Sequence, residues 1–452
     1  MRWLAALGAA MTGLTWLLLL LLVPWSEAEG SNAIRPPLVG MLAVAVVVYF
    51  IAVRLVLARK QKARTIWIVL LVAMAMRLPV LFTPPILSSD MYRYVWDGRV
   101  QQAGINPYLF VPADPALAGL RDDAIYPHIN RADYAHTIYP PAAQLAFAAI
   151  ARIAPSIFAE KAFMLGCEAL AMLCALNLLA LARLPPERLL IYAWNPLTIW
   201  SFACDGHVDA VSIALLAGAL LLRCRKRDGL AGAVFGAAVL VKFLPAVVGP
   251  ALWRRGGGWR LVAGAAASVV ALYAVYAGAG WQVLGFLPGY RVEEGLDTGS
   301  GVWLLAGLRW LGPLPPGAIA IYGAAALLAL AALGLWTLTR ASPAPGTPED
   351  VVAVCGHAAV LAAGITVAIA SHYAWYFAWL ALPSVVRPYR SVVWLSSAPV
   401  LLYIDPFGDP FLWPSLVYVP AAVLALADFR RARTPPIVAP SLKGISGCRP
   451  RR

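Results

Sequence analysis

The stretch Ser89-Asp90-Met91-Tyr92-Arg93-Tyr94-Val95-Trp96-Asp97-Gly98-Arg99 carries the densest chemistry in the chain. Read as a helix, Asp90, Arg93, Tyr94 and Asp97 fall at i, i+3, i+4 and i+7 and share one face. That face sets two carboxylates on either side of a guanidinium. A carboxylate so placed could take a proton from a hydroxyl, although the same spacing also describes a salt-bridged interfacial helix. Three other polar clusters interrupt apolar sequence. Asp205-Gly206-His207-Val208-Asp209 follows Trp194-Asn195-Pro196-Leu197, Lys242 stands alone in the middle of 229–253, and His372-Tyr373-Ala374-Trp375-Tyr376 comes late. Arg291, Glu293 and Glu294 form a charged loop that could act as a lid.

The elements that must position these residues are membrane helices. The 452 residues are 61% hydrophobic and 13% charged, with a mean hydropathy of +0.74, which excludes an ordinary soluble domain. A net charge of +14 raises nucleic acid as a partner. The basic residues, however, lie in short clusters beside apolar runs, at 59–64, 223–227, 254–255 and 430–433, which is the positive-inside pattern and not a nucleic-acid face. The run from Trp3 to Val23 is too long for a signal-peptide core and is read as a retained first span. Six cysteines form no CxxC pair, so neither a disulfide framework nor a thiolate metal site is indicated.

Placing every basic cluster in the cytoplasm predicts an all-α bundle of about twelve spans over residues 1–429. A long extracytoplasmic loop with interfacial helices covers 85–156, and a basic, disordered cytoplasmic tail covers 430–452. Residues 229–253 have the length of one span, yet both ends are positive and Lys242 sits halfway, where a lone charge in lipid is costly. A hairpin of two short half-helices with Lys242 at its tip resolves both problems. All four polar clusters then fall on the outer face. Convergence of ionisable groups at one depth points to a site.

An outward-facing membrane enzyme has no access to cytosolic nucleotide sugars and would use a donor carried on a lipid phosphate. Such a transfer needs a carboxylate base, cations for the departing phosphate, for which Lys242, Arg93, Arg291 and His372 are candidates, and rings to stack on sugars, such as Tyr92, Tyr94, Trp96, Tyr108, Tyr139, Trp375 and Tyr376. Asp97, Asn106, Asp205, His207 and Asp209 complete the predicted substrate contacts. A structural role is equally available to Asp97, as a partner of Arg93 or Arg99, and to His207, as a turn residue tied to Asp205 or Asp209. No metal site is predicted: His128, His136 and His207 lack ligand spacing, and the Asp122–Asp123 pair falls in a loop excursion.

Residues 90–99, Gly104-Ile105-Asn106-Pro107-Tyr108 and Tyr139-Pro140-Pro141 resemble the first-loop pattern of polyprenol-phosphate-mannose-dependent mannosyltransferases of the GT-C superfamily, close to glycosyltransferase family 87. Residues 194–209 resemble their Asn-Pro-Leu and Gly-His-Asn-Asp block, with Val208 in place of the usual Asn. Residues 229–253 resemble their lysine-bearing hairpin, and 372–379 a late His/Trp/Tyr motif. The resemblance implies a GT-C-type bundle that transfers a sugar, mannose by family likeness, with inversion from a polyprenyl phosphate. The product would be α-linked on a glycolipid or polysaccharide at the outer face of a bacterial inner membrane. It makes Asp90 the general base and requires no cofactor, with divalent metal left open. The rival expectation is a transporter or flippase of a lipid-linked glycan, which should show paired half-sequences. None is visible.

Overall fold

The structure is a computed structural model that describes residues 1–28, 31–59, 61–254, 256–340, 343–405 and 408–433. Most of the expected tail, 434–452, lies outside them. Among the described residues every regular element is helical. The longer helices are α1 (Arg2–Ala28), α2 (Ser31–Ala58), α3 (Thr65–Leu81), α4 (Asp90–Gln102), α5 (Pro141–Ile153), α6 (Ile157–Leu181), α7 (Asp209–Cys224), α8 (Asp228–Val239), α9 (Gly258–Val275), α10 (Ala318–Thr339), α11 (Pro348–Ile369) and α12 (Leu412–Arg433). Among the described residues seven helices are long and apolar enough to cross a membrane, and eight if the bent pair Pro196–Cys204 and Asp209–Cys224 forms one span. Four further apolar helices, among them α3 and α8, are shorter. The expected twelve therefore exceeds what length and composition alone support, because the chain around the site runs in short, broken pieces.

The outer helices bear faces that water would not tolerate. On α10, Ile321, Leu327 and Leu328 are 67%, 70% and 71% exposed, a contiguous apolar surface that calls for lipid contact. The molecule is a polytopic membrane protein.

Inside, the chain between α6 and α7 is broken. Asn195 starts a helical turn by accepting from the Leu197 amide (2.9 Å). The chain then passes through a wide turn at 199–204 and bends by 118° into α7. Interrupted helix leaves carbonyls unpaired, and at membrane depth these must be satisfied by the protein itself. Neighbouring helices supply the donors. Tyr49 Oη reaches Ile191 O (2.7 Å), Arg77 Nη1 reaches Ala193 O (2.6 Å), and Trp194 Nε1 itself donates to Val69 O (2.9 Å). Arg77 is buried and also holds Glu168 through two bonds of 2.8 and 3.1 Å, joining α3 to α6.

Residues 228–254 leave and return to one place, because Arg254 Nε donates to Asp228 Oδ2 (3.0 Å). Between these ends α8 packs tightly on α9 through glycine. A Cβ on Gly232 would lie 2.0 Å from Leu261 O, and one on Gly236 would lie 2.7 Å from Ala265 O. Only small residues permit such an approach. Lys242 follows the far end of α8, next to Asp209 at the start of α7. The opposite end of α7 carries Arg223, which pairs with Asp350 at the start of α11 (2.5 Å).

Arg77→Met is expected to destabilise the protein by about 3–5 kcal/mol, the cost of stripping a buried partner from Glu168. Adding Glu168→Met should recover only part of this, since Ala193 O stays without its donor. Denaturation of the detergent-solubilised variants measures both, and full recovery in the double variant would contradict the assigned backbone role.

Candidate active site

The segment that delivers α4 is tied down at both edges. Lys161 Nζ donates to Val80 O (2.5 Å) and Thr83 O (2.6 Å), closing the end of α3. Asp205 Oδ1 accepts from the amides of Ile86 (2.8 Å) and Leu87 (3.0 Å). Gly206 lets the 205–209 turn pack against α4: its φ is +62°, and a Cβ there would fall 1.5 Å from Met91 Cε. Asp90 thus enters in the first turn of α4, where the helix dipole favours its anion.

Asp90 opens onto a cavity of about 950 Å³. Its carboxylate accepts from Asn130 Nδ2 (3.3 Å) and lies 3.8 Å from His207 Nδ1. Across the cavity Lys242 Nζ donates to Asp209 Oδ1 (2.7 Å) and sits 3.5 Å from the centre of the Tyr376 ring. Tyr376 Oη is 3.0 Å from Tyr290 Oη. Trp375 stacks between Tyr373 (4.7 Å) and His207 (4.1 Å). A carboxylate, cations and stacking rings in one concave space suit a sugar carrying an anionic group.

Ten of the predicted site residues line this cavity: Asp90, Tyr92, Arg93, Tyr94, Tyr139, Asp209, Lys242, His372, Trp375 and Tyr376. Others do not. Asp97 lies two turns beyond Asp90, 1% exposed, with its oxygens filled by Arg93 Nε (2.8 Å), Thr137 Oγ1 (2.5 Å) and Gln144 Nε2 (2.8 Å). It anchors Arg93 and contacts no substrate space. Trp96 faces the opposite side of α4 and packs in a separate apolar cluster with Leu117, Ile125 and Ile129. Asn106 closes its own turn onto the Tyr108 amide (3.2 Å), and Tyr108 Oη donates to Tyr139 O (2.7 Å), supporting the cavity wall from behind. Asp205 holds backbone, as above. His207 is buried behind Trp375 and does not line the cavity. Arg291 is exposed and off the cavity, while its helical neighbours Leu287 and Tyr290 face in.

In place of Arg291 the cavity has Arg131, with Asn130 beside it. Both come from the 127–136 stretch, which has no helical or strand period. Its only signal was a density of His, Asn, Arg and Tyr in an otherwise apolar chain. Tyr290 and Tyr403 were likewise hidden among ordinary aromatics.

Burial holds the Asp90 carboxyl above the usual carboxylate range, the Asn130 hydrogen bond and the charges of Lys242 and Arg131 draw it part of the way back, and Asp209 pushes it up. A base with a raised pKa accepts a proton more readily at neutral pH. Burial pushes the His372 imidazole down to about 4.

A family model described as Alpha-(1->6)-mannopyranosyltransferase, N-terminal domain, matches residues 3–255. The protein is therefore a membrane-embedded glycosyltransferase. The match covers more than half of the chain, which belongs to this mannosyltransferase family (MptA_B). No curated relative and no solved structure matches it. The matched part holds Asp90, Arg131, Asp209 and Lys242, whereas Tyr290 and 372–376 complete the cavity from outside it.

If Asp90 acts as a base it must first lose its proton, so the acid limb of kcat/KM is expected above about 4, the value of a free aspartate, with activity falling as pH drops through its raised pKa. Lys242→Met should move that limb upward and Asp209→Asn downward, read from pH–rate profiles. Coincident limbs in all three proteins would contradict this electrostatic account.

Proposed function

We propose that the protein transfers mannose from a polyprenyl-phosphate donor to an acceptor hydroxyl with inversion, forming an α-linkage at the extracytoplasmic face of a bacterial inner membrane. Asp90 takes the proton of the acceptor hydroxyl. The acceptor oxygen bonds to the anomeric carbon as the bond from that carbon to the phosphate oxygen breaks, and polyprenyl phosphate leaves with the electron pair. Lys242 and Arg93 stabilise the charge that grows on the leaving phosphate. Tyr92, Tyr94, Tyr139 and Trp375 offer the faces and edges on which sugar rings rest.

The observation that carries this reading is the single cavity in which the partly exposed Asp90 carboxylate faces the Lys242–Asp209 pair among aromatic rings. The course of α7 supports this sidedness: Asp209 begins it, and the basic cluster at 223–227 ends it, roughly 24 Å away for sixteen residues of helix. If that cluster faces the cytoplasm, the cavity lies toward the other leaflet, beyond the reach of cytosolic nucleotide sugars. The family's printed title speaks for mannose and for an alpha-(1->6) product. The acceptor is accordingly a glycolipid or polysaccharide that offers a primary hydroxyl.

Asp90→Asn keeps the shape and the Asn130 contact but removes the base. Transfer of labelled mannose from polyprenyl-phosphate-mannose should fall by about 10²–10⁴-fold, with donor binding and thermal stability unchanged. Transfer near the wild-type rate would contradict the assignment of Asp90 as the base.

A further inference from the structure

Three cations line the cavity, and each already faces a carboxylate: Arg93 with Asp97, Lys242 with Asp209, and Arg131 with Glu293. They are not equivalent. Arg93 is locked, since its partner is buried behind it and its Nη1 donates to Ala135 O (3.1 Å). Lys242 is held between Asp209 and the face of Tyr376. Arg131 is held differently. Its partner carboxylate sits on a separate short helix, Leu287–Glu293, with the Tyr373 hydroxyl as a second, uncharged partner, and the Arg131 and Glu293 side chains are 27% and 28% exposed, so water can replace the ion pair.

The pair is also built for exchange. Arg131 binds Glu293 Oε2 through Nε (2.5 Å), while Oε1 of the same carboxylate accepts from Tyr134 Oη (2.8 Å). Losing Arg131 therefore leaves Glu293 with a donor. The Arg131 backbone is left-handed, with φ +58°, and its carbonyl accepts from the Ala135 amide (3.0 Å), closing a turn that presents the side chain to the cavity. A non-glycine residue adopts that conformation at a cost, and such positions concentrate at sites of function.

We propose that Arg131 is the exchangeable cation of this site: it leaves Glu293 to bind the phosphate of the incoming donor, and Glu293 recaptures it when polyprenyl phosphate departs. The inference rests on the reading of the donor as a polyprenyl phosphate. The exchange makes and breaks no covalent bond. A guanidinium suits it, because its planar donors match a phosphate better than the compact ammonium of lysine does. It also ties donor binding to the Leu287–Glu293 helix. That helix carries Tyr290, which is 3.0 Å from the Tyr376 hydroxyl, and the Tyr376 ring covers Lys242.

The test measures binding of a polyprenyl phosphate, and of the uncharged polyprenol of equal chain length, to the full chain in lipid nanodiscs. Arg131→Gln should weaken the phosphate by about ten- to a hundredfold, the range of a charge-assisted hydrogen bond, and leave the alcohol unchanged. Arg131→Lys should restore part of the loss. Glu293→Gln should tighten the phosphate, because a competitor for the guanidinium is removed, and should lower kcat and KM together through slower product release. Arg131→Gln binding both lipids as the wild type does, or losing both equally, overturns the inference, as does Glu293→Gln with unchanged or weaker phosphate binding. Those results leave the donor reading standing. A wild type that binds the phosphate no better than the alcohol overturns the donor reading and this inference with it.

Discussion

An interrupted helix inside a bilayer cannot leave its carbonyls bare, and the rest of this structure depends on how that demand is met between residues 190 and 208. Tyr49, Arg77 and Thr198 donate to the carbonyls of Ile191, Ala193 and Tyr192, and Asn195 reaches Ser396 O. With those bonds made, the chain can turn through 118° and still remain inside the protein. The turn delivers Asp205, His207 and Asp209 to the start of α7 from a place no straight helix would reach. Arg77 is central because its other bonds, to Glu168, fix α6 to α3, and α3 leads directly to Asp90. One buried guanidinium thus joins the broken segment to the proposed base.

From that junction the site follows. Asp209 meets Lys242 only because glycines bring α8 against α9 and the Asp228–Arg254 bond closes the base of the 228–254 excursion. Asp97 is committed to Arg93, Thr137 and Gln144, which leaves Asp90 as the one carboxylate of α4 that opens onto the cavity. The cations are each balanced by an anion in the absence of substrate, which lowers the cost of burying them. A phosphate arriving in such a site completes or replaces existing pairs instead of meeting naked charge.

Much of this was written in the sequence where a physical demand is severe. Apolar runs bounded by basic clusters announced a membrane protein, because lipid enforces that pattern more strictly than water enforces any. The i, i+3, i+4, i+7 spacing of Asp90, Arg93, Tyr94 and Asp97 put them on one helix. It could not tell which carboxylate opened onto a cavity, since that depends on Thr137 and Gln144, forty and more residues away. Lys242 stood out because a lone lysine within an apolar segment needs a partner, and that partner is Asp209. Arg131 and Asn130 were illegible because a left-handed turn in an irregular loop has no period. Arg291 drew attention for its charge alone, while the helical phase of its neighbours turns it away from the cavity. Length and composition support seven or eight spans among the described residues and not the expected twelve, because short broken helices near the site resemble spans in composition but not in length.

The central proposal is that mannose reaches this cavity on a lipid phosphate. Its most direct measurement offers the purified protein in proteoliposomes labelled mannose in two forms, as polyprenyl-phosphate-mannose and as a nucleotide-linked mannose, and follows the label into extracted glycolipid. Transfer from the lipid donor and none from the nucleotide is expected. Transfer from the nucleotide sugar with the lipid donor inert would contradict the proposal.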